Sequence, residues 1–398
     1  MTSLVQPAFP FVNVTVDASA LIPTAQRAPG VVAVVGNADG ATAPPSTPLV
    51  VTSHDDAINL FGKAKAATAL SSSLDLVLQQ DPQPSKIYGV RTPTAGNYAA
   101  ALTGLEAADD VTFVCLANET SIGAATAGAT AATGLHALTE HVENMSAAGS
   151  RRMAVAMIDP TLPRTATYVT DVLATTSYGS LKSPTGRLIL IAARGATTNA
   201  AVTPAPVADA AAAAMGAIAG YAPSTSVVLK QVRGFTVPVT QQYVPAEVTA
   251  LAAAGAIPLI DPALIPGSGL FFGDGGAFSA DPAFNYVDER RAIDQIEFQL
   301  RAGLIGTVGD ARITKAGLTT VRVRVESILG PLLLGGVIDA FSVNIPLLSI
   351  LTLPDSARSA TDQAQVVTAR QNRQVSVLIS VTYGPAVHRL NVTLAPQF

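Results

Sequence analysis

Over residues 29–261, short apolar runs rich in β-branched side chains alternate with longer segments of helical period. The runs are VVAVVG from Val31, PLVV from Pro48, KIYGVR from Lys86, VTFVCLA from Val111, RMAVAMID from Arg152, RLILIAA from Arg187, SVVLKQV from Ser226 and AIPLID from Ala256. Nearly every position in them is apolar, as in strands covered on both faces. Helices are predicted over residues 55–61, 67–80, 98–107, 134–145, 165–175 and 207–219, with Asp55 and Thr165 as N-caps. This alternation predicts an α/β unit around a mostly buried sheet. GAATAGATAATG from Gly123 and GATTNAAVTPAP from Gly195 have no period and are punctuated by Gly and Pro, so they read as surface loops.

The two ends of the chain carry a different pattern. In FVNVTVD, Val12, Val14 and Val16 share one face and Asn13, Thr15 and Asp17 the other, the period of a half-buried strand. A long connection containing Gly and Pro follows, so this strand must pair with residues far along the chain or in another molecule, which suits β-augmentation. Residues 288–304 predict a helix with Ile293, Ile296, Leu300 and Leu304 at helical spacing and Glu289, Arg290, Asp294, Glu297 and Arg301 elsewhere on its surface. Val375, Val377, Ile379 and Val381 then alternate with polar residues, Gly384-Pro385 marks a turn, and Leu390, Val392 and Leu394 alternate again, predicting a terminal hairpin. TTVRVRVES alternates like a strand, yet Leu318, Val321, Val325, Ile328 and Leu332 also fit one helical face; period alone leaves both open.

At 398 residues the chain is long enough for more than one core. Charged residues reach only 13% against a usual value of about 25%, and hydrophobic residues 49%, so much of the surface must be neutral or covered, as in a crowded assembly. The net charge of −4 disfavours a general nucleic-acid binder. The single cysteine, Cys115, lies inside an apolar run and reads as a buried, inert thiol. The N-terminal residues show no basic segment leading into a continuous apolar stretch, so synthesis in the cytoplasm is expected. No apolar stretch reaches the roughly 20 residues of a bilayer-spanning helix.

Candidate chemistry is sparse. His136 and His141 flank Glu140 at a spacing of five, which on a helix sets the two rings about 140° apart, too far round to grip one metal; they read as a solvated face. No phosphate-binding G-x-x-x-x-G-K-[ST] occurs, GNADG lacks the dinucleotide spacing, and FFGDGGAF from Phe271 suits a tight domain-boundary loop. No G-x-S-x-G elbow is present. The pairs Arg151-Arg152 and Arg290-Arg291 read as solvated faces in preference to anion sites. No enzyme activity, cofactor or metal is expected.

RAPGVVAVVGNADGA followed by TPLVVTSHDDAINLFG resembles the N-terminal signature of contractile tail sheath proteins. DPAFNYVDERRAIDQIEFQLRAGLIG resembles that family's C-terminal helix with its paired arginines, and GVIDAFSVNI the strand that follows it. The resemblance covers both ends and, by element order, most of the middle. It implies a structural subunit that polymerises helically around an inner tube and contracts to drive the tube through a target envelope. The implied fold class is α/β and α+β: residues 1–26 form an arm strand that joins a C-terminal domain at 267–398, packed on the tube, and residues 27–266 form an outer α/β domain. Phe11, Val12, Val14 and Val16 and the terminal residues Val375, Val377, Ile379, Val381, Leu390 and Val392 would be exchanged between subunits, Arg290, Arg291 and Arg301 would face the tube, and residues 319–334 would be helical. Implied partners are further copies in stacked rings, the tube protein, and baseplate and terminator proteins, with no nucleic acid and no membrane insertion. The particle would assemble in the host cytoplasm as a phage tail or a phage-like injector. The chain is short for a phage sheath, as in compact tails and extracellular injection systems, and a type VI sheath, split between two chains, is the poorer match. Two rival readings are another self-assembling shell protein and an α/β nucleotide-binding enzyme.

Overall fold

The computed structural model describes residues 30–38, 41–62, 70–128, 130–198, 207–265 and 269–389. The predicted arm strand with Phe11, Val12, Val14 and Val16, and the predicted strand with Leu390 and Val392, lie outside the described residues. The chain divides into two compact units. Residues 27–298, 329–344 and 378–398 make the larger, and residues 299–328 and 345–377 belong to the smaller.

In the larger unit the elements run β1 (Val31–Gly36), β2 (Leu49–Val50), α1 (His54–Phe61), α2 (Leu70–Leu78), β3 (Lys86–Arg91), α3 (Tyr98–Leu105), β4 (Phe113–Leu116), α4 (Gly134–Ala147), β5 (Met153–Met157), α5 (Tyr168–Val172), β6 (Leu188–Ala192), α6 (Ala210–Gly220), β7 (Gln231–Val232), α7 (Pro245–Ala253), β8 (Ala256–Ile260) and β9 (Leu270–Phe272). They form one sheet in the order β2-β3-β1-β4-β5-β6-β8-β9-β7. The six strands from β3 to β8 are parallel, and antiparallel strands finish both edges. The side-chain alternation of a strand divides each apolar run between two cores. Val32, Val34, Phe113, Cys115, Val155, Ile189 and Ile191 pack under α1, α2 and α6. Val31, Ala33, Val35, Val114, Leu116, Ala154 and Leu190 pack under α3, α4 and α5.

Helix α6 explains its own alanines. All residues from Ala210 to Ala219 are buried, and the helix lies so close to α2 and the following turn that a Cβ at Gly220 would sit 1.9 Å from the carbonyl oxygen of Pro82. Asp209 caps this helix from a buried position, accepting from the Ala212 amide at 2.9 Å, the Ser73 hydroxyl at 2.6 Å and the Asn118 amide at 2.7 Å. Burial pushes its carboxyl above the ordinary range.

Several sequence expectations need correction. Helix α1 is capped by Ser53, whose hydroxyl accepts from the Asp56 amide, while Asp55 sits in the first turn. Thr165 caps nothing; α5 begins at Tyr168 and is five residues long. Of SVVLKQV only Gln231–Val232 is strand, because the chain turns through Leu229 at φ 56°. Phe271 and Phe272 of the predicted loop belong to β9, and the loop proper starts at Gly273. Helix α7 was not foreseen at all: Pro245 starts it, and Glu247 reaches back to accept from the Val244 amide at 2.9 Å.

Beyond β9 come α8 (Val287–Leu304), α9 (Lys315–Leu334), β10 (Ile338–Asn344), α10 (Pro346–Thr352), α11 (Ala360–Asn372) and β11 (Leu378–Tyr383). The ambiguous residues 319–334 are helical, as the sheath resemblance implied, with Pro331 inside the helix. In the smaller unit Leu318, Ile345, Leu347, Leu351 and Val366 form a core. Val375 and Val377 pack against it outside any strand, so the predicted strand starts only at Leu378. Helix α11 is held by a reciprocal cap between Ser359 and Asp362. In the larger unit β11 pairs antiparallel with β10 across Phe341↔Val381 and Val343↔Ile379. The predicted second strand of the terminal hairpin, with Leu390, Val392 and Leu394, lies outside the described residues. Among the described residues no helix is long and apolar enough to cross a membrane.

Candidate assembly surfaces

The large sheet ends in two-residue strands, β2 on one side and β7 on the other. Edges this short offer little template for another chain. The β10-β11 ladder is different. Its strands are seven and six residues long, and among the described residues neither pairs with a third. Phe341, Val343, Ile379 and Val381 are half-buried on one face, while Ser342, Ser380 and Thr382 are exposed on the other. A two-stranded ladder is marginal in water unless it packs on something or gains strands. Here its end is anchored: the Tyr383 hydroxyl donates to Asp288 Oδ2 at 3.0 Å, and just beyond the strand the His388 Nε2 lies 2.8 Å from the Ser226 hydroxyl, its ring edge-on to Tyr286 at 4.8 Å.

The basic pairs are not on solvated faces. Arg152 is 0% exposed; its guanidinium donates to the carbonyls of Leu105 and Ala108 at the end of α3 and lies 2.9 Å from His141 Nε2. Carbonyls at a helix C-terminus carry partial negative charge, which suits a buried cation. Burial and the neighbouring Arg152 bring the His141 pKa down to about 3, so the ring is neutral. The expectation of a solvated histidine face is therefore wrong for His141, which is buried, while His136 is half-buried. Arg151 holds Glu297 through two nitrogens at 2.7 and 2.8 Å.

Arg290 and Arg291 are also buried, at 7% and 5% exposure. Arg290 pairs with Asp294 at 3.1 Å, and the same carboxylate receives both terminal nitrogens of Arg187 at 2.8 and 2.9 Å. Arg291 donates to the Tyr221 carbonyl at 2.7 Å and stacks over Phe113. Arg301 is exposed. The apolar stripe proposed for this helix is also imperfect, since Ile293 is 40% exposed. Arg290, Arg291 and Asp294 thus stitch the helix to its own unit. Cys115, on β4, is buried beneath the helices of one sheet face, and burial raises its thiol well above the ordinary range. Among the described residues no three His, Cys, Asp or Glu side chains are grouped to hold a metal.

No protein-family model matches the chain, and no curated protein matches it in sequence. Solved structures do match in shape. The sheath of an extracellular contractile injection system, the PVC sheath complex in its contracted state, superposes at TM-score 0.68 with 13% identity over 99% of both chains. The helical sheath of the anti-feeding prophage in its contracted state superposes at 0.64 with 14% identity over 99% of this chain and 100% of the other. The sheath tail protein from Desulfitobacterium hafniense gives 0.58 with 12% identity over 85% and 93%. The fold is that of a contractile sheath subunit. In this sheath fold the nine-stranded sheet and the β10-β11 ladder sit within a likeness that runs almost from end to end.

Sequence reasoning missed the residues that organise the sheath fold's interior polar contacts. Arg187 and Arg194 occur singly, with no motif to flag them, and each finds its carboxylate far along the chain, Asp294 and Glu247 respectively. The signal available was weak: an arginine at the end of an otherwise apolar run, in RLILIAAR from Arg187.

Proposed function

We propose that the chain is the structural subunit of a contractile sheath, polymerising helically around an inner tube and contracting to drive that tube through an envelope. The observation that carries this reading is the β10-β11 ladder, open on both outer edges among the described residues, in a chain whose likeness to sheath subunits covers 99% of its length. An arm from a neighbouring copy, residues 1–26 with Phe11, Val12, Val14 and Val16 as its apolar face, would add a strand to the ladder, and the residues after β11, including Leu390 and Val392, would be donated in return. Main-chain bonds of this kind hold subunits together while they rotate against one another, so contraction need not break the mesh. The inner domain would then comprise both chain ends and residues 267–398. The extended state would be metastable and contraction downhill, with no nucleotide required. Of the three arginines assigned to the tube, Arg301 is the exposed one and the better candidate contact; Arg290 and Arg291 serve their own unit first. Tube, baseplate and terminator proteins would be its partners in a phage tail or injection particle, and the role is mechanical, without catalysis.

Negative-stain electron microscopy of the purified chain tests this against a variant lacking residues 1–20. Hollow helical tubes from the full chain and folded monomers from the truncation are expected. Monodisperse full-length protein at high concentration, with or without a cognate tube, would count against the reading.

A further inference from the structure

Most buried arginines in the larger unit are visibly compensated. Arg151 has Glu297, Arg187 and Arg290 share Asp294, Arg194 has Glu247, and Arg152 sits on the carbonyls ending α3. Arg291 differs. It is 5% exposed, makes no ion pair among the described residues, and its Nη1 has no hydrogen-bond partner there. Asp288 acts on it only at a distance, and burial lowers its pKa to about 10. A guanidinium removed from water without a counter-charge is costly.

Arg291 lines a cavity of about 40 Å³ together with Thr112, Phe113, Arg151, Asp294 and Gln295. The one carboxylate on that wall, Asp294, is already shared by Arg187 and Arg290. A single water needs roughly 10–15 Å³, so the space takes a group of a few water volumes, the size of a small anion. We infer that this cavity is a binding site for a small inorganic anion, of which chloride is the physiological example, held beside the Arg291 guanidinium that lines it. The anion supplies the counter-charge that the chain itself omits and locks α8 against β4, independently of the proposed sheath role.

The helix offers a clean way to test this, because Gln295 lies one turn after Arg291, the same i,i+4 relation by which Asp294 serves Arg290. Thermal unfolding of the full chain is followed at fixed sodium concentration, with chloride exchanged for gluconate, which is too large to enter. Chloride is expected to raise Tm saturably by about 3 °C, and bromide to do the same. Gln295→Glu brings a carboxylate into the cavity, so it should melt in gluconate as high as the parent does in chloride and lose the chloride step. Arg291→Met should lose the step as well; if that variant does not fold, Gln295→Glu decides alone. Equal Tm in chloride and gluconate would mean that the cavity holds water, and a chloride step that survives Gln295→Glu would place the anion elsewhere. Either result overturns the inference.

Discussion

Arg187 grips Asp294 through both terminal guanidinium nitrogens, at 2.8 and 2.9 Å, across 107 residues of chain, and so ties β6 to α8. Arg187 is 1% exposed, and Arg290 draws on the same carboxylate. Removing that carboxylate leaves two buried cations uncompensated. Asp294→Asn should therefore cost about 3–5 kcal/mol of stability, read by urea unfolding, and a loss below about 1 kcal/mol would mean that water screens the site.

His141 makes stability depend on pH with a definite sign. In the folded protein its pKa lies near 3, below the value of about 6.5 expected when unfolded. Between those values the unfolded chain binds a proton that the folded chain refuses, so stability falls as pH drops from about 6.5 toward 3, with a slope of up to about 1.4 kcal/mol per pH unit. His141→Gln keeps an acceptor for Arg152 and should flatten that part of the profile, measured by chemical unfolding from pH 7 to pH 4. An unchanged slope would assign the effect to carboxylates.

Two glycines should respond to alanine in opposite directions. At Gly220 the new Cβ meets the backbone of Pro82 at 1.9 Å, so Gly220→Ala should lose about 1–3 kcal/mol by forcing α6 away from its neighbour. At Gly306, in the single turn that follows α8, no atom outside the adjoining residues lies within 4 Å of that position. Gly306→Ala should gain about 0.5–1 kcal/mol by restricting the unfolded chain. Thermal melts of both variants beside the parent give the comparison, and the same sign for both would refute it.

Cys115 offers a probe of opening. It is fully buried under α6, and its thiol is held protonated by burial. Labelling by a thiol reagent in native buffer should proceed only at the rate of unfolding, and become fast in denaturant. Rapid native labelling would show that the α6 face opens locally.

The larger unit was legible because its information is local. A strand covered on both faces must be apolar at nearly every position, and runs such as VVAVVG and RLILIAA carry that requirement in their own residues. The helix at 210–220 was equally readable. The boundaries that failed depended on single side-chain bonds, such as Ser53 taking the cap that Asp55 was expected to make. Helix α7 failed because its nine residues include few large apolar side chains; Arg194, buried between Tyr168 and Tyr243, fixes it through Glu247.

The sequence by itself determined which segments are strands of a buried sheet and that no familiar catalytic motif is present, since periodicity and spacing are properties of neighbouring residues. The tertiary structure alone decided the fate of the charges. An arginine reads the same whether it meets water or a distant carboxylate, and only the folded chain shows Arg187 and Arg290 meeting at Asp294 while Arg291 meets no carboxylate among the described residues. The partner of β11 was likewise a matter of tertiary structure, because alternation marks a strand's two faces and says nothing of which strand will lie at its edge.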